Sequence, residues 1–104
     1  MREFVDLKGA SGAAYRFRLW PEGAAHLPMA GNYAFVRDNG DAIEVLLADI
    51  SDDLSTERRR MQQMNGADLD QVQIYTRLNV SRSVREAEND DIVAHYSPPL
   101  SVRD

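Results

Sequence analysis

The sequence predicts an α+β fold: a small antiparallel β-sheet flanked by helices, with an added N-terminal β-hairpin. Two observations carry that expectation. Strand-like runs come in pairs joined by glycine-bearing turns, and two later stretches carry the start and stop residues of helices. The element order is β-β, then β-β-α-β-α, without an internal repeat, a low-complexity tract or a linker, which points to one domain over residues 1–104.

The first pair is "EFVDL" (3–7) and "AYRFRLW" (14–20), flanking "KGASGA". The second run alternates, with Tyr15, Phe17 and Leu19 on one side and Arg16, Arg18 and Trp20 on the other, the pattern of a half-buried strand. Gly9 and Gly12 supply the turn. "PEGAAHLPMAG" follows as a connector with two prolines and two glycines. "NYAFVR" (32–37) and "AIEVLLAD" (42–49) form the second pair, and Asn39-Gly40 between them tolerates the positive φ of a tight hairpin. The first helix is expected over 51–66, with Ser51 as N-cap, Asp52 and Asp53 at the positive end of the dipole, and Gly66 as the stop. "QVQIYTRL" (71–78) alternates again, placing Val72, Ile74 and Leu78 on one face and Tyr75 and Arg77 on the other. The last helix starts near "SVRE", where Ser83 and Glu86 suit a capping box, and Pro98 and Pro99 end it.

Composition narrows the function classes. Hydrophobic residues at 43% and charged residues at 28% describe a globular chain. With no cysteine there is no disulfide framework or thiolate zinc site, and with two histidines no histidine-rich metal cluster. No apolar run reaches the length of a membrane span, and "MREFVDLKG" lacks the apolar stretch of a signal peptide, so a cytoplasmic protein without a membrane partner is expected. A net charge of −5 disfavours general nucleic-acid binding, which draws its affinity from neutralising phosphates. A local basic patch remains compatible with it.

Both helices carry charge where a core is expected. On a wheel of about 100° per residue, Val84, Ala87, Glu88, Ile92, His95 and Tyr96 share one arc of the last helix. Glu88 is near its middle, Asp91 at its edge, and Glu86, Asp90 and Ser83 lie opposite. In the first helix Glu57 and Arg58 fall within the stripe of Leu54, Met61 and Met64, while Arg59 and Arg60 point away. Two readings follow. Glu88 forms an ion pair at the rim of the core, with Arg58 or Arg85; or Glu88 holds a divalent cation beside an arginine that contacts phosphate.

Three segments resemble the GIY-YIG nuclease superfamily, over residues 30 to 101. "GNYAFV" is similar to the GIY strand, with Gly31 and Tyr33 at matching positions. "VLLADISDDL" is similar to the second strand and the turn into the first helix. "REAENDDIVAHYSPPLS" is similar to the closing segment, with its glutamate and its proline. The resemblance implies a three-stranded antiparallel sheet flanked by helices, to which residues 1–20 are added. It further implies a phosphodiester-hydrolysing site in which Tyr33 lines the pocket, Arg58 stabilises phosphate charge and Glu88 holds Mg²⁺ or Mn²⁺. The departures are Leu47 at the second tyrosine position, Asp49 at the glycine position, Glu57 at the arginine position with Arg58 one residue late, and Ser101 at the terminal asparagine. Leu47 brings no hydroxyl, and Asp49 adds negative charge where a phosphate docks. The expectation is therefore a degenerate GIY-YIG-like domain, without a resident cofactor, that acts by binding a protein partner in DNA metabolism or gene regulation, or a second copy through the hairpin. The alternative is a metal-dependent endonuclease. Arg16, Arg18 and Trp20 form the candidate binding face, suited to a protein or to stacked bases.

Overall fold

The structure is a computed structural model that describes residues 2–64 and 68–100. Five strands, β1 (Phe4–Lys8), β2 (Ala14–Trp20), β3 (Gly31–Asp38), β4 (Ile43–Ser51) and β5 (Val72–Leu78), form one antiparallel sheet in the order β1-β2-β5-β3-β4. A short 3₁₀ turn (Leu54–Thr56) leads into helix α1 (Glu57–Gln62), and helix α2 (Arg82–Tyr96) follows β5. The expected α+β class stands. The N-terminal hairpin is not an appendage: β2 pairs with β5, so the hairpin extends the same sheet.

Both faces of the sheet are covered, and strand alternation decides which residues serve which face. Val5, Leu7, Phe17, Ala34, Val36, Val45 and Tyr75 pack with Ile92 of α2. Trp20, Tyr33, Phe35, Leu46, Leu47, Val72 and Ile74 pack with Leu54 beside α1. The run "VLL" breaks the alternation of β4, and the structure gives the reason. Phe35 faces Leu47 while Val36 faces Val45, so Leu46 is the extra residue of a β-bulge. Both leucines thereby reach the α1 side. The sheet also curls: α2 packs against both edge strands, β1 and β4, and the Arg2 guanidinium crosses to Asp38 and to the Gly40 carbonyl of the β3–β4 turn.

Several boundaries differ from those read from sequence. β4 continues to Ser51, because Ser51 pairs with Gly31, and the helix cap passes to Asp53, whose carboxylate accepts from the Ser55 amide. The Ser51 hydroxyl instead donates to Glu57. The stop expected at Gly66 lies outside the described residues. In α2 the N-cap is Ser81, and Glu86 pairs with Arg82 at 2.8 Å rather than closing a box with Ser83. The wheel is rotated as well. Arg85 and Ile92 are buried, while Val84, Ala87 and His95 face solvent. No helix among the described residues is long and apolar enough to cross a membrane.

Asp91 fixes the β1–β2 turn onto α2. Its carboxylate accepts from the Ser11 amide at 2.9 Å, the Ser11 hydroxyl at 2.6 Å and the Tyr15 hydroxyl at 2.7 Å, and its carbonyl accepts from Ala10. A Cβ on Gly9 would collide with this carboxylate, so the close approach needs glycine. Hydrogen bonds from Ser11 and Tyr15 hold the Asp91 carboxyl below its usual pKa. A depressed pKa contributes stability above the unfolded value of about 3.9 that is lost as pH falls through the folded value. Wild type should therefore exceed Asp91→Asn in urea midpoint at pH 7, and the gap should close as pH falls below about 4. A gap independent of pH would contradict this role.

Candidate functional site

The residues assigned by the resemblance divide between the two faces of the sheet. On β3, Tyr33 and Phe35 point to the α1 side, and Asn32 and Ala34 to the α2 side. Tyr33 and Arg58 thus lie on one face and Glu88 on the other.

Tyr33 is 1% exposed. Burial, then the carboxylates of Glu57 and Asp49, push its hydroxyl well above the usual tyrosine value, so it keeps its proton at neutral pH. Glu57 is buried, as its place in the helix stripe foretold. It accepts from the Ser51 hydroxyl at 2.6 Å and from Arg60 Nε at 2.7 Å. Arg60, which the wheel points to solvent, folds back to balance that charge. Asp49 sits opposite Tyr33 across the β3–β4 ladder. A phosphate here would face two carboxylates.

Arg58 is committed elsewhere. Its guanidinium lies 4.4 Å from the Trp20 ring centroid and donates to the carbonyls of Trp20 at 2.7 Å and Pro21 at 3.1 Å. Burial lowers its pKa. It does not pair with Glu88, and neither does Arg85, which donates to Asp52 at 2.7 Å and to the Val80 carbonyl at 2.9 Å.

The partner of Glu88 is Arg77. Nε donates to Oε1 at 2.9 Å and Nη2 reaches Oε2 at 3.4 Å. Asn79 adds a third bond to Glu88 at 3.0 Å and bonds Asn32 with the same amide nitrogen, while Asn32 donates to the Arg85 carbonyl. A partly buried network of Asn32, Arg77, Asn79 and Glu88 therefore joins β3, β5 and α2. Sequence reasoning misses it because sheet packing alone accounts for Arg77, and Asn32 is hidden inside an apolar run. The available signal is the strand period, which puts Arg77 and Tyr75 on the face opposite Val72 and Ile74; the structure makes that face the α2 side. Among the described residues, no three histidine, aspartate or glutamate side chains come together as a metal site. Any Mg²⁺ or Mn²⁺ at Glu88 would need ligands from outside this network.

Arg16, Arg18 and Trp20 do share a strand face, yet differently exposed. Arg16 and Arg18 are open, with the Phe4 ring 5.3 and 6.0 Å from their guanidinium carbons. Trp20 is 5% exposed, with Arg58 on its face and His26 against it at 4.9 Å. The expected stacking platform is thus already occupied. Beside these residues runs a groove of about 820 Å³, bordered by Phe4, Arg16 and Arg18 on the hairpin and by His26 and Leu27 on the connector, with Thr76 and Leu78 along it. Phe4, Leu27 and Leu78 expose 43%, 57% and 50% of their surface. No protein-family model matches this chain, and the comparisons with curated proteins and with solved structures found no match.

Proposed function

We propose that this chain is a degenerate GIY-YIG-like domain that works by binding a protein partner rather than by hydrolysing phosphodiesters. Its support for the family part is the resemblance in three segments, together with a β3-β4-α1-β5-α2 order and two helix-covered faces. The observation that carries the non-catalytic part is the division of the assigned residues. A metal-assisted displacement needs its cation, its arginine and its hydroxyl around one phosphate. Here the sheet stands between Glu88 and the pair Tyr33 and Arg58. Each is also engaged: Glu88 by Arg77 and Asn79, Arg58 by the Trp20 carbonyl, and Tyr33 within the core.

The test is incubation of the purified protein with single- and double-stranded DNA and with RNA, in Mg²⁺ and in Mn²⁺. No cleavage above a buffer control is expected. Cleavage that Glu88→Ala abolishes would establish the endonuclease alternative and defeat this reading.

A further inference from the structure

We infer that the groove between the β1–β2 hairpin and the connector 21–30 is a docking site for a short acidic and apolar peptide segment of a partner protein. This rests on the binding-module reading and names the surface and the chemistry that reading leaves open.

The groove is built before any ligand arrives. Both ring nitrogens of His26 are bonded, Nδ1 to the Leu27 carbonyl at 2.8 Å and Nε2 to the Thr76 hydroxyl at 2.7 Å. Trp20 Nε1 donates to the Ala24 carbonyl at 2.8 Å, and Arg58 clamps the carbonyls of Trp20 and Pro21. The connector is thus tied down along its length, and a preformed groove spares the ligand the cost of ordering it. Its lining follows β2 and β5 to the end of their pairing. The β2–β5 register runs through Trp20↔Ile74 and Leu19↔Tyr75 to Arg18↔Thr76, and beyond it the Arg77 guanidinium, not a ladder bond, reaches the Arg16 carbonyl at 3.4 Å.

The lining sets the ligand's character. Phe4, Leu27 and Leu78 offer aliphatic and aromatic surface for apolar side chains. The charge at the rim comes from two guanidinium groups held over the Phe4 ring, from the Glu3 carboxylate beside them, and from Arg77, which Glu88 pairs. Arg16 is already met by Asp6 at 2.9 and 3.2 Å. Arg18 has only the Glu3 carboxylate at 3.8 Å, beyond hydrogen-bond range, and its fork is open to an incoming carboxylate.

The same facts disfavour a nucleic acid. A polyanion needs several unneutralised cations, and here Arg16 is paired with Asp6 and Arg18 has the Glu3 carboxylate at 3.8 Å, while the whole chain carries −5. Bases need free aromatic faces, and Trp20 is covered by Arg58 while Phe4 faces the two arginines.

A phage-displayed random dodecapeptide library panned on the purified chain tests the assignment. Enriched peptides should combine Asp or Glu with Leu, Ile or Phe. Their synthetic forms should bind wild type and lose about tenfold or more in affinity against Arg18→Glu and against Leu78→Asp, two exposed positions whose variants should keep the wild-type circular dichroism spectrum. Peptides that bind both variants as well as wild type, or a library without enrichment, would overturn the groove assignment while leaving the non-catalytic reading in place. Salt-sensitive binding of a fluorescent dT12 strand that Arg18→Glu removes would replace the peptide with a nucleic acid. Self-association in sedimentation velocity that Leu78→Asp removes would replace it with a second copy. Nuclease cleavage, measured separately, would defeat the underlying reading whatever the library returns.

Discussion

Gly31→Ala is expected to lower stability by about 3 kcal/mol, a large share of what a domain of this size possesses. Gly31 opens β3 and is paired on both sides, with Ser51 of β4 and Leu78 of β5. A Cβ there would collide with the Arg77 carbonyl oxygen and lie 2.8 Å from Leu54 Cδ1. The leucine can turn aside, whereas the carbonyl belongs to the β3–β5 ladder and can yield only if the strands part. Parting them would also strain the bond from the Asn79 amide to the Ala30 carbonyl and, through Asn79, the network around Glu88. Urea denaturation should show a lower midpoint with an unchanged slope. Gly12 is the control. It has φ of +94° with nothing within 4 Å of where an added methyl would stand, so Gly12→Ala meets backbone strain alone, about 1 kcal/mol. A loss at Gly31 no larger than at Gly12 would contradict the steric account.

What is legible in the sequence follows from local signals. Strand alternation, the glycine turns and the proline stop mark out the five strands and two helices, because each depends on neighbours within a few residues. Gly12 and Gly40 do adopt the positive φ that their turns require. What escapes such reading needs knowledge of partners far along the chain. Ser51 reads as a helix cap until Gly31 is placed opposite it, and then it is a strand residue. Arg85 reads as a rim arginine on α2, yet it lies buried, with Asn32 bonded to its carbonyl and the carbonyls of Asn79 and Val80 accepting from its guanidinium. Glu88 is legible as a carboxylate facing inward. Its partner is not, since Arg77 sits on a strand whose α2-facing side becomes visible only once α2 is docked. The groove is half legible: the arginines show in the alternation of β2, while Leu27 and Leu78 join them only through the connector's path over β5.

The second large effect is expected at Arg77, and it separates a structural role for Glu88 from a cation-binding one. Arg77→Met keeps most of the aliphatic stem but removes the guanidinium, which lies 5.6 Å from the Tyr15 ring centroid and carries the charge that faces Glu88. The Glu88 side chain is 16% exposed and would be left with Asn79 as its donor. Removing one member of a partly buried pair leaves the other charge uncompensated, so a loss of about 2 kcal/mol is expected, below the full cost for a sealed site because the Arg77 side chain is 31% exposed. Glu88→Gln alone should also destabilise, because it weakens the bonds from both Arg77 and Asn79. The double variant should lose about 1 kcal/mol less than the sum of the two, since the unpaired charge is gone. If Glu88 instead waited for a cation, its carboxylate would be poorly compensated within the protein. Glu88→Gln would then be neutral or stabilising, and millimolar Mg²⁺ would raise the wild-type unfolding midpoint by mass action. The geometry leads to the opposite expectation on both counts: a midpoint that Glu88→Gln lowers and that Mg²⁺ leaves unmoved.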